Sequence, residues 1–579
     1  MNACIMEVNT YKLQVIDRNY TEWSYHTMID YKIIDVDICP IKNKLFNEDV
    51  ITKNDSNCEL LHSNVRVYSD IPGVLVLKGN KTYGRAYNGK LMYKCIPDDK
   101  RLPVFLIPYD MKNIGFSKVY TNQYITFQYT NWDDKHPHGK INQMIGSVDV
   151  LDNFYEYQLY CKSLNASIQK FNKATNKILQ NKPHDDFIDD ISRKYINIED
   201  RTDQNEWYIF SIDPKCSTDF DDAFSIKKCE DDTLISIYIS NVTVWLDILD
   251  LWDSFSQRIS TIYLPDKKRP MLPTILSDCL CSLIENRIRI ALVMDIHISN
   301  NTVVKIEYKN AKIKVSKNFR YEENTLLSND KYHMLLDEVS KLTRIYKYTK
   351  IIKDSHDIVA YLMVFMNYHT AKIMLNKKNG ILRTTILNHE LIIPGHLPDN
   401  VGNFMKYWNS SSGKYINASE ITDTTMYSHD LLEMEAYIHI TSPIRRIVDL
   451  LNIIKLQQNI DLIKLGDNSQ KFYDKWLSEL EYINTTMRYI RKVQTDCSLL
   501  HTCVTSPDAL KKEYTGYIFD KMKRNDGLFH YIIYMPELNM TSKITVREEM
   551  DNYQNRLFKL YMFNDEETLK KKIRLHLIT

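Results

Sequence analysis

A chain of 579 residues exceeds what one hydrophobic core organises and predicts three or four domains. With 44% hydrophobic and 26% charged residues it is neither fibrous nor disordered. The 75 Lys+Arg against 74 Asp+Glu, a net charge of +1, mean that any basic path for nucleic acid has to be built locally.

Eleven cysteines without a repeated spacing read as reduced thiols and not as a disulfide framework. Met1 to Tyr20 holds no continuous apolar stretch, and Ile358 to Met366, the most apolar helical run, is too short to cross a bilayer. A soluble, cytoplasmic protein with no membrane segment is expected. The Asn, Ile, Lys and Tyr excess, with 39 tyrosines and only 14 glycines, is attributed to an AT-rich coding sequence such as that of a large DNA virus or a parasitic microbe.

In chain order, the first 150 residues read as short strands: Val65 to Tyr68, Gly73 to Leu77, Val104 to Ile107 and Tyr124 to Tyr129. Leu164, Ile168, Phe171, Thr175 and Ile178 recur at helical intervals, with Pro183 as the stop, and the acidic stretch Asp185 to Asp190 reads as a linker. Tyr208 to Asp213 and Leu234 to Val242 are expected strands, the second with Ile235, Ile237 and Ile239 on one face. Helices are expected to dominate from Lys331 to Leu500, the clearest being Asp357 to Asn379, closed by Gly380. Strands return at Gly516 to Phe519 and Phe529 to Tyr534.

The sharpest chemical signal is Asp213, Asp219, Asp221 and Asp222, four carboxylates within ten residues on a turn between two strands. So many adjacent carboxylates ionise cheaply only when cations neutralise them, and a hard divalent ion with oxygen ligands does so. Mg²⁺ is the default and Mn²⁺ an alternative. Two such ions about 4 Å apart activate water and stabilise the leaving oxygen of a phosphodiester. A structural Ca²⁺ loop or a solvated acidic turn competes, but an EF-hand counted from Asp213 would need Gly and Glu where Thr218 and Phe224 stand. A second signal, His439-Ile-Thr441-Ser-Pro-Ile-Arg445-Arg446-Ile-Val-Asp449, supplies fork-shaped donors for phosphate oxygens, or caps and salt-bridges a helix.

Together the two motifs resemble those of the ribonuclease II (RNB) family, an Ile-Asp-…-Asp-x-Asp-Asp-Ala stretch followed by Thr-Ser-Pro-Ile-Arg-Arg. Tyr263 to Leu283 and Ala311 to Tyr321 resemble family segments lying between them. Cys95 to Pro103 and Trp132 to Gly146 are similar to the second cold-shock barrel of the eukaryotic exosome-nuclease branch, and Leu45 to Val50 resembles the first.

The resemblance implies a multidomain α+β protein. Its layout is a first cold-shock-like OB barrel at 1–66, a second at 67–150, a helical linker at 151–205, a mixed α/β RNB catalytic domain at 206–505 and a C-terminal OB barrel of the ribosomal-protein S-one type at 510–579. It implies a processive, hydrolytic 3′→5′ exoribonuclease that degrades single-stranded RNA to 5′-mononucleotides as a monomer. Asp213, Asp219, Asp221 and Asp222 would hold Mg²⁺, with Asp221 and Asp222 catalytic. Arg445 would contact the scissile phosphate, with Arg446 beside it on the RNA. Tyr321 would stack near the 3′-terminal nucleotides and Tyr263 on a base further away.

The chain departs from the family pattern at several places. Ile239-Ser240-Asn241 stands where an acidic residue is usual, Ile447 replaces a tyrosine, and a supporting glutamate has no counterpart, the local segment reading Arg491-Lys-Val-Gln494. Cys497, His501 and Cys503 have zinc-like spacing without a fourth ligand, so buried thiols are expected. Lys570 to Lys572 with Arg574 extend an RNA path or form a solvated face. Two other classes compete: a catalytically inactive RNB-like RNA-binding or adaptor protein, against which all five key residues argue, and a single-strand DNA nuclease using the same metal chemistry.

Overall fold

The computed structural model describes residues 10–54, 57–110, 120–229, 232–346, 352–387, 393–410, 413–420 and 428–578. The chain divides into two compact units. One comprises Met1–Asn165, Leu264–Lys267 and Arg491–Thr579, and the other Ala166–Tyr263 and Lys268–Ile490.

The first unit is built on β structure. A closed barrel runs in the order His138–Ser147, Phe105–Tyr109, Leu91–Pro97, Ile71–Leu75, Gln123–Asn131, the ring shut by a parallel pairing of His138 with Leu106. Gly73 permits that closure, because a Cβ there would stand 2.8 Å from Cys95 Sγ and 2.9 Å from a Phe127 ring carbon. A five-stranded sheet, Ile33–Ile34, Trp23–Thr27, Thr10–Val15, Val50–Asn54, Asn57–His62, shares a core with the barrel through Leu13, Phe46, Phe105 and Trp132. A third sheet is ordered Met540–Val546, Phe529–Met535, Tyr514–Lys523, Asn555–Asn564, Lys571–Leu577, around Ile518, Tyr531, Ile533 and Phe558.

The second unit is a mixed seven-stranded sheet ordered Ile198–Arg201, Thr302–Lys314, Ile288–Ser299, Asp232–Ser240, Asp222–Cys229, Phe210–Asp213, Lys317–Arg320. Both ends pair in parallel and the middle is antiparallel. Strand periodicity explains its two layers. Ile235, Ile237 and Ile239 face a core shared with Leu335, Val339, Phe365 and Met366, while Tyr238 faces Ala223, Val293 and Ile313. The fold class is therefore multidomain α+β, one unit holding a closed barrel and further β-sheets and the other a mixed α/β core.

Three expectations change. Val65 to Tyr68 is not a strand but mostly the short helix Asn64–Val67, which buries Val65 and lays Arg66 over the Phe46 and Tyr129 rings. Those tertiary contacts override β-branched propensity. The acidic stretch Asp185 to Asp190 lies inside helix His184–Lys194 and is no linker. Asp185 and Asp186 occupy its first turn, Arg193 and Lys194 its last, and Phe187, Ile188 and Ile191 are buried. That charge order suits the helix dipole, and the apolar spacing suits one buried stripe. The periodic segment from Leu164 is helical only from Gln169 to Leu179; Leu164 and Ile168 lie in the connection that leaves helix Leu151–Cys161 through a turn in which Ser163 takes φ +53°.

The apolar run at Ile358 to Met366 extends into a 22-residue helix, Ser355–Asn376, long and apolar enough by length and composition to cross a membrane. Ile358, Tyr361, Leu362, Phe365 and Met366 are buried against the sheet, as in a core helix. Asp354 caps its start by accepting from the Asp357 amide at 3.0 Å. Gly380, at φ +89°, follows its end.

Candidate active site

The aspartate motif lies where Phe210–Asp213 leaves the sheet and Asp222–Cys229 enters it. The intervening loop is braced from outside the motif. Ser282 Oγ accepts from the Phe220 amide at 2.9 Å and donates to the Thr218 carbonyl at 3.0 Å, and the Ser240 amide donates to the Asp221 carbonyl at 2.8 Å. These contacts turn Asp213, Asp219, Asp221 and Asp222 into the wall of one cavity of about 840 Å³.

The arginine motif packs directly against this wall. The Ile444 amide and Arg445 Nε donate to the two oxygens of Asp221, at 2.9 and 3.1 Å. Arg445 also donates to Ser442 Oγ at 2.9 Å, and its own carbonyl accepts from Ser260 Oγ and the Thr261 amide at 2.8 and 3.0 Å. Arg446 turns to Asp449, at 2.9 Å, on the first turn of helix Ile447–Asn459, although it too lines the cavity.

Electrostatics follow from burial. Asp221 is pushed up to about 7, although Arg445 and the Ile444 amide pull it down. Asp213 rises to about 6 through burial, with Asp219 adding to it and Ser211, Arg320 and Arg445 opposing. Burial and the charges of Asp213 and Asp221 carry Asp222 well above the usual carboxylate range. Burial alone would lower Arg445; Asp221 above all, and Asp449 and Asp222, raise it beyond its ordinary value.

The donor set fits a hard divalent cation. It is made of carboxylate oxygens, and Asp213 Oδ2 is buried without a hydrogen-bond partner, on a residue 8% exposed. Among the described residues no three carboxylate, imidazole or thiolate groups stand in a ready coordination shell. Arg445 holds Asp221, and Lys268 Nζ holds Asp219 Oδ1 at 3.0 Å.

All eight residues expected from sequence line this cavity. Tyr263 hydroxyl donates to Asp219 Oδ2 at 3.0 Å. Tyr321 is tied by its amide to the Asp213 carbonyl at 3.1 Å, and its ring stacks on His356 with centroids 3.6 Å apart. Sequence reasoning missed Lys268, Asp278, His356, Asn367 and Tyr437. Asn367 donates to Tyr437 hydroxyl at 2.9 Å and accepts from the Ile440 amide at 3.0 Å, so it fixes the approach to the arginine motif. His439 Nδ1 and Tyr415 hydroxyl lie 2.7 Å apart, and burial drives the His439 pKa well down.

The departures also resolve. Asn241 is fully buried and donates to Asn310 and Gln457 side chains at 2.7 and 2.8 Å, away from the cavity lining. Ile447 is buried in the helical core. Among the described residues the lining holds no glutamate. His501 Nδ1 and Tyr155 hydroxyl are 2.9 Å apart, and Cys497 and Cys503 are buried.

Residues 201–350, which include the four aspartates and Tyr321, match the RNB domain model. DIS3-like exonuclease 2 of Schizosaccharomyces pombe is 28% identical over 207 residues, 34% of this chain and 21% of that protein. The structure of Mycoplasma genitalium RNase R in complex with ribose methylated single-stranded RNA shares the fold over 98% of this chain and 100% of that one, with TM-score 0.70 and 16% identity. Yeast Ssd1, described as a pseudonuclease, shares it over 94% and 80%, with TM-score 0.60 and 14% identity. Residues 201–350 thus match an RNB domain, and the chain is similar to proteins named ribonuclease R and exoribonuclease 2. The matched stretches span between 14% and 51% of those curated relatives' lengths.

Proposed function

We propose that this chain is a hydrolytic 3′→5′ exoribonuclease that degrades single-stranded RNA processively to 5′-mononucleotides, working as a monomer in the cytoplasm. The observation that carries the reading is the contact of Asp221 with Arg445 inside a cavity lined by four further carboxylates. Relatives named exoribonuclease 2 and ribonuclease R support RNA as the substrate class, and the direction follows from the motif resemblance.

Asp213, Asp219, Asp221 and Asp222 would hold Mg²⁺, or Mn²⁺, as a pair of ions at full occupancy. Bound there, such ions lower the pKa of water and neutralise charge on a phosphodiester. Arg445, already charged and fixed by Ser442, offers its remaining N–H groups to the scissile phosphate. Arg446, oriented by Asp449, faces the next phosphate. Tyr321 stacks on the terminal bases with His356 behind it, and Tyr263 anchors a base while its hydroxyl holds Asp219. We place two cold-shock-like barrels at 1–66 and 67–150, a helical linker at 151–205, the catalytic domain at 206–505 and an OB barrel at 510–579. The barrels guide the strand by stacking and backbone charge.

The likeness to a pseudonuclease keeps a silent RNA-binding role as the second reading. Retention of four cavity-lining aspartates with Arg445 argues against it. Incubating the full chain and Mg²⁺ with 5′-labelled RNA carrying a hairpin decides between them. Shortening up to the hairpin, absent in Asp221→Asn, supports hydrolysis; binding without shortening supports the silent role.

A further inference from the structure

Lys268 belongs to a short hairpin in which Ile262–Tyr263 pairs with Lys268–Arg269, and Tyr263 faces Lys268 across it. Both side chains reach the same carboxylate. Tyr263 hydroxyl donates to one oxygen of Asp219 at 3.0 Å and Lys268 Nζ donates to the other at 3.0 Å. The ammonium is itself gripped, donating to Asp278 Oδ1 at 2.9 Å and to Thr218 Oγ1 at 2.6 Å, while Thr218 donates to Asp278 Oδ2 at 3.0 Å. The Asp219 side chain is 6% exposed and that of Lys268 24%, so this is a held contact and not a loose surface pair. A flexible lysine stem converging on three oxygens loses rotamer freedom, which a casual ion pair does not recover.

Charge counting gives the contact a meaning. The five carboxylates of the cavity lining, Asp278 among them, against Lys268, Arg445 and Arg446 leave a formal charge of minus two, the charge one divalent ion neutralises. A second divalent ion would leave the cluster positive unless the lysine withdrew. We propose that Lys268 is a resident cation on the Asp219 side of the cluster, so that the site binds one divalent ion tightly and a second only weakly. Lys268 is thus a positioning residue that acts through Asp219. This rests on the metal-site reading above and refines it: the two-ion state is reached only when metal displaces the ammonium.

The test is a Mn²⁺ titration of the full chain, following free Mn²⁺ by electron paramagnetic resonance, for the wild type, Lys268→Gln, Lys268→Met and the charge-keeping Lys268→Arg. The wild type and Lys268→Arg should bind one ion tightly. In Lys268→Gln and Lys268→Met a second ion should bind at least about tenfold tighter than in the wild type, given the cost of like charges a few ångströms apart. Two equally tight ions in the wild type, or unchanged binding in both neutral variants, overturns the proposal while leaving the metal site standing. No Mn²⁺ binding by any of the four proteins overturns the metal site and the proposal together.

Discussion

Arg445 Nε and Asp221 Oδ2 lie 3.1 Å apart although 224 residues separate them in the chain. The pair joins the two motifs into one wall, and its two members have different jobs. The carboxylate is placed to hold a cation, and the guanidinium, also held by Ser442, is placed to meet phosphate.

Asp221→Asn should therefore abolish RNA hydrolysis while RNA binding and thermal stability stay close to wild type. An amide oxygen still accepts from the Ile444 amide, but it is a poor ligand for Mg²⁺. Arg445→Lys keeps the charge and loses the fork, and should lower kcat by at least about 10²-fold. Single-turnover kinetics with a filter-binding assay separates the two effects; wild-type turnover by Asp221→Asn rules out the metal assignment.

The stacking partner His356 sharpens the role of Tyr321. Tyr321→Ala should leave longer limit fragments, because about 1–3 kcal/mol of stacking per base is lost at the end of the strand. Tyr321→Phe should leave the limit product unchanged, and His356→Ala should lengthen it by less than Tyr321→Ala does. Denaturing gels read the product length directly. An unchanged product in Tyr321→Ala makes the tyrosine a purely structural residue.

Metal binding should be linked to pH through Asp221. Its folded pKa, about 7, is raised above the ordinary carboxylate value, so the metal-free protein draws stability from it that is complete below pH about 4 and is lost as pH rises through 7. A cation needs the charged form, so binding gains what the empty carboxylate loses. The rise in Tm on adding Mg²⁺ should grow between pH 6.5 and pH 8. His369 and His429, held down near 4 by burial, act only below that window. A Mg²⁺-induced rise that shrinks with pH contradicts this linkage.

Much of this was legible beforehand. The alternation of Ile235, Ile237 and Ile239 gave the central strand, and the density of Asp213 to Asp222 gave one wall of the cavity. The arginine motif is equally local. Lys268, His356 and Asn367 were not legible, because each acts through a partner that only the folded chain brings near, and no spacing rule links Lys268 to Asp219 across 49 residues. The acidic first turn of helix His184–Lys194 has linker composition, and only the place of those charges at the positive end of the helix dipole distinguishes the two.

A buried ion pair away from the cavity offers a stability check. Arg201 donates to Asp295 at 2.6 and 2.9 Å with both side chains 1% exposed, beneath Trp207 and Tyr238. Arg201→Met should cost about 3–5 kcal/mol, because it leaves Asp295 buried beside Ser236 and Lys309 but without the guanidinium that faces both its oxygens. The double change Arg201→Met with Asp295→Leu should restore most of that loss. Urea unfolding of the three proteins measures it; a single change costing under about 1 kcal/mol would show the pair to be screened.

Exonucleolytic attack from the 3′ end is read most directly with single-stranded RNA labelled in its last nucleotide. With Mg²⁺ the first labelled product should be a nucleoside 5′-monophosphate, with none formed in chelator. A matched strand with one deoxynucleotide near its 3′ end should react more slowly, since contacts to the 2′-OH set sugar choice. Release of a labelled oligonucleotide, a cyclic phosphate or a 3′-phosphate, or metal-independent turnover, would contradict hydrolysis by this carboxylate site.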